Sequence, residues 1–120
     1  MRVLHLGAIP GHPIAQFDSH AFTVLPIATG GETHLVTARL GPGGVIGRHR
    51  AVGRQILVVL EGQAVVSGDA GGDTVLEPGQ AALWEPGENH EARTNQGLLA
   101  LIVEGDLVID PEALPPNQSD

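Results

Sequence analysis

Two histidines in glycine-rich stretches are the residues best suited to chemistry. His49 lies in the stretch from residue 43 to 62, which reads GGVIGRHRAVGRQILVVLEG. His90 lies in the stretch from residue 79 to 94, which reads GQAALWEPGENHEART. Neutral imidazole is a common metal ligand, and a buried imidazole can equally serve as a hydrogen-bond partner. The amide of Gln55 adds a further polar group to the first stretch, so either a metal site or a polar cluster is possible.

The segments around these residues have the pattern of short β-strands. THLVTARL, residues 33–40, alternates so that His34 shares a face with Val36, although its sequence does not show which face is inward. Residues 55–60 are apolar on both faces, which is typical of a strand covered from both sides. Glycine clusters predict turns at residues 29–32, 41–44 and 68–73, and residues 63–67 are expected to pair back through Gly62. No segment has a helical stripe, so the chain predicts an all-β sandwich or barrel.

Composition narrows the class of protein. A chain of 120 residues forms one domain, and the absence of cysteine excludes disulfides, thiolate metal sites and a cysteine nucleophile. The net charge of −8 argues against a nucleic acid or an anionic membrane as partner. The N-terminus is too broken for a signal peptide and no apolar run spans a bilayer, which makes a cytoplasmic protein the default expectation. All six basic residues are Arg, which we interpret as the composition bias of a bacterial genome.

The two stretches resemble the paired signatures of the cupin superfamily. Gly43, His49 and Gly62 match the first signature, and His90 is the matching histidine of the second. The resemblance implies a double-stranded β-helix barrel of the jelly-roll type over residues 1–109. Within it, residues 1–20 form an N-terminal strand and loop, and residues 110–120 are expected to be a flexible tail. Small cupins commonly pair, so a homodimer is expected.

The resemblance also implies a metal site. Cupins that bind a metal usually use three His and one Glu, and His49 and His90 stand at two of these positions. Gln55 stands at the Glu position, and Ala51 replaces a His and offers no donor. The implied ligands of a divalent manganese, iron, nickel or zinc ion are therefore His49, Gln55 and His90. Such a neutral set leaves the charge of the ion uncompensated, and the alternative is a vestigial site in which the histidines hydrogen-bond each other, Gln55 or water.

Four further residues are candidates for a substrate pocket. Arg50 and Arg54 either clamp an anionic substrate or form exposed ion pairs with the acidic residues of the second stretch. Trp84 either lines the pocket mouth or packs in the core or a subunit interface. His34 reaches the pocket only if its strand turns that face inward.

The implied function is a pocket for a small molecule, with or without a metal. A bound ion with open positions could polarise an oxygen or activate water, as in cupin lyases, isomerases and oxygenases. The alternative is a metal-free module that binds or senses a sugar or a small acid. The sequence identifies no catalytic residue and leaves open whether the protein is an enzyme.

Overall fold

The protein is an antiparallel β-barrel. The computed structural model describes residues 10–30 and 32–109, so the expected tail at 110–120 lies outside the described residues. The predicted all-β fold is confirmed, and a short 3₁₀ turn at Gln16–Asp18 is the only helical element in the described part of the chain. The strands are β1 His12–Ile14, β2 His20–Gly30, β3 Thr33–Arg50, β4 Arg54–Gly62, β5 Ala64–Ser67, β6 Thr74–Leu76, β7 Ala81–Trp84, β8 Asn89–Arg93 and β9 Leu98–Gly105.

The long strand β3 joins the two halves of the barrel. Its first half pairs with β2 and β9, and its second half pairs with β8, giving the order β6-β5-β8-β3-β9-β4-β7 with β1 and β2 attached to β3. The turn expected at residues 41–44 is wrong, because β3 continues through these residues. Gly43, with a φ of 73°, bends the strand there instead of ending it. A single bent strand therefore carries both His34 and His49.

The hairpin expected between β4 and β5 is also wrong. β5 pairs with β6 and β8 rather than with β4. Gly62, at a φ of 84°, lies so close to the backbone of Gly97 that a Cβ there would overlap the carbonyl oxygen of Gly97. The chain therefore leaves one side of the barrel at Gly62 and crosses to the other, as a jelly roll requires.

Side chains alternate between the barrel interior and its outside. On β4 the inward residues Gln55, Leu57 and Val59 are buried, and on β9 the inward residues Ala100 and Ile102 are buried. Each buried aliphatic side chain contributes about 1.5–3 kcal/mol to folding. Gln55 is the polar member of this inward row on β4, so it is the position where the core gives way to a site.

The outer face of β4 and β9 is apolar and partly exposed. Ile56, Val58, Leu101 and Val103 are half-buried, and Leu60 is 38% exposed. A homodimer would cover this face, and the homodimer stays a prediction. In the described part of the chain, we find no helix with the length and apolar character needed to span a membrane.

Candidate functional site

A pocket of about 270 Å³ opens inside the barrel next to both candidate histidines. Its walls are apolar side chains from the N-terminal segment, β2, β3 and β9, and both phenylalanines of the chain are among them. Its polar lining residues are Gln16, His34, His49, Gln55, His90 and Glu104. A pocket of about 150 Å³ holds a benzene ring, so this one has room for a ring with substituents. The structure therefore combines an apolar cavity with a small set of polar groups, as small-molecule sites do.

His49 and His90 face each other across paired strands. They are direct partners in the register of β3 and β8, and their ring centroids lie 4.2 Å apart at an angle of 57°. Nδ1 of His49 donates a hydrogen bond to the carbonyl oxygen of Gly47 at 2.7 Å. Because that contact holds the proton on Nδ1, Nε2 of the neutral ring keeps its lone pair for a ligand.

His90 is buried and lacks a partner at one nitrogen. The residue is 3% exposed, and its Nε2 has no hydrogen-bond partner in the described structure. Burial, and then the charges of His49 and Arg48, lower the pKa of His90 from 6.5 to about 4. His90 is therefore neutral at pH 7, the state in which imidazole binds a metal.

Gln55 has the same unsatisfied character. It is 7% exposed, and its Oε1 is buried without a hydrogen-bond partner in the described structure. A buried polar atom without a partner costs about 1–3 kcal/mol, so native proteins rarely keep one. Gln55 and His90 both line the pocket, and their unsatisfied atoms mark it as a site for a ligand.

Ala51 ties the two stretches together through its backbone. Its N–H donates to the carbonyl oxygen of Glu88 at 2.9 Å, and its carbonyl oxygen accepts from the N–H of Gly87 at 2.8 Å. Its side chain is buried and supplies no donor. Ala51, which stands where metal-binding cupins usually have a further histidine, therefore holds the two loops together through its backbone. Its side chain provides no metal ligand.

Glu104 is a pocket residue that the sequence reasoning missed. It pairs in register with His34 of β3 on one side and with Gln55 of β4 on the other. Directly opposed residues of antiparallel strands point to the same face, so these three side chains form one row across the interior. The alternation of β9 placed Glu104 in phase with Ala100 and Ile102, but the inward phase became visible only once the strands were paired.

The N-terminal segment closes one side of the pocket. The ring of Phe17 stacks on His49 with centroids 4.0 Å apart and planes 5° from parallel. Gly47 N–H donates to Oγ of Ser19 at 2.9 Å, which holds the segment against β3. A Cβ at Gly47 would overlap the carbonyl oxygen of Phe17, so only glycine allows this approach. Phe17 itself has a φ of 60°, a strained value for a residue other than glycine.

The four candidate pocket residues occupy different places. His34 lines the pocket, which shows that its strand turns this side chain inward. Arg50, Arg54 and Trp84 are not among the described residues that line it. Trp84 is 3% exposed, donates from Nε1 to the carbonyl oxygen of Ser67 at 3.1 Å, and packs 5.0 Å from the ring of His90.

The arginines of the first stretch contact neighbouring loops. Arg54 forms an ion pair with Glu85 at 2.9 Å and donates to the carbonyl oxygen of Leu107. Arg48 donates to the carbonyl oxygen of Gly68, while Arg50 is exposed. Arg54 thus takes the ion-pair alternative, and no Arg or Lys is found among the described lining residues.

The described residues supply two histidines and an amide rather than a full ligand set. Within residues 10–30 and 32–109, no group of three or more His, Cys, Asp or Glu is placed to hold an ion. His49, His90 and Gln55 bring imidazole nitrogens and an amide oxygen to one pocket, and these are donor types that divalent transition metals accept.

These features define a jelly-roll barrel with a small-molecule pocket and a histidine pair inside it. The family model for the cupin domain matches residues 36–110. The chain belongs to the cupin family. No curated protein matches it at a significant level.

Solved structures share the fold at low sequence identity. A predicted oxalate decarboxylase from Thermotoga maritima is similar with a TM-score of 0.78 and 21% identity, covering 88% of this chain and 100% of that one. The polyketide cyclase RemF from Streptomyces resistomycificus is similar with a TM-score of 0.77 and 18% identity, covering 92% of this chain and 88% of that one. An RmlC-like cupin from Shewanella frigidimarina has a TM-score of 0.68 and 17% identity, covering 88% of this chain and 96% of that one. At this identity the likeness concerns the fold.

Proposed function

We propose that the barrel binds a divalent transition metal through His49, His90 and Gln55, and a small, largely apolar molecule beside it. The observation that carries the proposal is the pair of buried, unpartnered atoms, Oε1 of Gln55 and Nε2 of His90, in one pocket. An ion on these atoms would remove both unsatisfied groups at once. The hydrogen bond from His49 to Gly47 supports the same interpretation, because ligating histidines usually donate their other nitrogen to such a group.

With an ion bound, the pocket would supply the conditions for metal-assisted chemistry on a small molecule. When bound, the ion would act as a Lewis acid toward an oxygen of the substrate, as lyases, isomerases and oxygenases use it. The aromatic and aliphatic walls would hold the body of the substrate and exclude water. His34 and Glu104 lie on the pocket lining, where a proton donor or acceptor would be needed.

The lining favours a ligand with an apolar body over a sugar or a polyanion. The described lining includes no Arg or Lys that could pair with a carboxylate or phosphate. The similar structures include a predicted oxalate decarboxylase and a polyketide cyclase. The apolar walls here suit a ring-containing molecule better than oxalate, so we propose a ring-containing ligand.

A metal-free binding or sensing module is the second candidate. The observation that favours it is the neutral ligand set, because two imidazoles and an amide leave a divalent charge uncompensated. In this case the ligand itself would satisfy Gln55 and His90 by hydrogen bonds. The pocket and its apolar walls would serve the same purpose without an ion.

Metal titration separates the two candidates. The protein would be purified without a histidine tag, treated with a chelator, and titrated calorimetrically with manganese, iron(II), nickel and zinc. The His90→Ala variant should lose nearly all affinity, because it removes one of three protein donors. Gln55→Glu should tighten binding by restoring a carboxylate. His12→Ala, which removes an exposed histidine outside the pocket lining, is the matched control and should bind as the wild type does.

The opposite pattern would favour the metal-free module. Equal, weak binding by the wild type, His90→Ala and His12→Ala would refute a metal on His90. Gain of affinity only when Ala51→His and Gln55→Glu are combined would identify a vestigial site.

A further inference from the structure

We infer that Glu104 supplies the negative charge that the metal site lacks at Gln55, an inference that rests on the proposed metal function. The carboxylate comes from β9, a strand outside both glycine-rich stretches. Its position is one strand away from Gln55, in the same cross-strand row.

The register places the two side chains as direct neighbours. Gln55 of β4 is the partner of Glu104 in β9, and such partners have Cβ atoms about 5 Å apart on one face of the sheet. Both residues line the same pocket. A carboxylate at Glu104 therefore faces the site at which the ion would be held by the amide.

The charge balance of the pocket makes this carboxylate distinctive. The other polar residues of the described lining are all His or Gln, so Glu104 is the acidic residue of that lining and carries its one formal negative charge. The other acidic residues lie outside the described lining: Glu85 pairs with Arg54, Glu91 lies 3.7 Å from Arg93, and Glu32 and Asp106 line a separate groove that Glu104 also borders.

Glu104 acts on the ion through its charge rather than as a fixed ligand. His49, His90 and Glu104 are not arranged as a three-residue ligand group among the described residues. Coulomb attraction does not require contact, and in a partly buried site a unit charge several ångströms from a divalent ion strengthens its binding by about tenfold or more. A neutral first set of ligands with a neighbouring carboxylate explains how a site without the usual glutamate could still retain an ion.

Moving the carboxylate between the two strands tests the inference. The 120-residue chain and three variants would be treated with a chelator and then titrated with manganese and zinc. The variants are Glu104→Gln, the double exchange of Gln55→Glu with Glu104→Gln, and Glu61→Gln. Glu104→Gln should weaken binding by about tenfold or more, because only the charge is removed. The exchange should return the affinity to within about threefold of the wild type, since it restores the same net charge one strand away.

Glu61→Gln is the matched control for net charge. Glu61 is exposed on the same strand as Gln55 and lines a different surface groove, so its removal should leave metal affinity unchanged. Urea unfolding of the metal-free variants should show that Glu104→Gln is as stable as the wild type, which excludes a purely structural effect.

The outcomes separate this inference from the function on which it rests. If the wild type binds metal through His90 and Glu104→Gln binds equally well, the role of Glu104 is refuted and the metal function stands. Failure of the exchange variant to recover affinity after a loss in Glu104→Gln would also refute it. If the wild type binds no metal, both the proposed function and the inference fall.

Discussion

Acidification should destabilise the metal-free protein through His90. Its pKa is lowered from 6.5 to about 4 in the folded protein, mainly by burial and then by the charges of His49 and Arg48. In the unfolded chain the ring titrates near 6.5. Between these two pH values the unfolded chain binds a proton that the folded protein does not, so the free energy of unfolding falls as pH falls. Above pH 6.5 the effect vanishes, and below about pH 4 the loss is complete.

The size of the effect follows from the two pKa values. Their difference corresponds to about 3 kcal/mol at full protonation, of which about 2 kcal/mol is lost between pH 7 and pH 5. This is a large part of the stability of a small domain, which is typically about 5–15 kcal/mol.

Urea unfolding at pH 7, 6 and 5 in the presence of a chelator measures this loss in the free energy of unfolding. His90→Gln removes the titrating ring and keeps a polar side chain, so its stability should fall about 2 kcal/mol less than that of the wild type over this range. His12→Gln, at an exposed position, should follow the wild type. The reasoning is refuted if His90→Gln and the wild type lose the same stability between pH 7 and pH 5.

Two further predictions concern the N-terminal segment and the outer face. Gly47→Ala should lower the free energy of unfolding by about 2–3 kcal/mol, because its Cβ would overlap the carbonyl oxygen of Phe17. Gly41→Ala on the same strand, where the new Cβ meets only Ala21 at 3.6 Å, should cost less than about 1 kcal/mol, and equal thermal shifts in the two variants would contradict this account. Light scattering at micromolar concentration should give the mass of a homodimer for the wild type. Val58→Glu, on the half-buried outer face of β4, should give the mass of a monomer. A monomeric wild type would refute the homodimer.

The sequence by itself indicated the family and three of the residues that line the pocket. Glycine and histidine at fixed separations placed His49, Gln55 and His90 in two stretches that a jelly roll brings together, and the barrel is confirmed. These features are local. Glycine permits a backbone with positive φ wherever it occurs, and alternation along a strand fixes which side chains share a face. Metal binding at the site stays a prediction.

Only the tertiary structure decided which faces point inward and what surrounds the histidines. Glu104 enters the pocket because β9 lies between β3 and β4, and no pattern within residues 98–105 states that pairing. His34 points inward for the same reason. Phe17 reaches His49 only because Gly47 admits a distant backbone segment, a contact that depends on the absence of a side chain. The low pKa of His90 likewise arises from burial, and burial is a property of the assembled barrel rather than of any stretch of sequence.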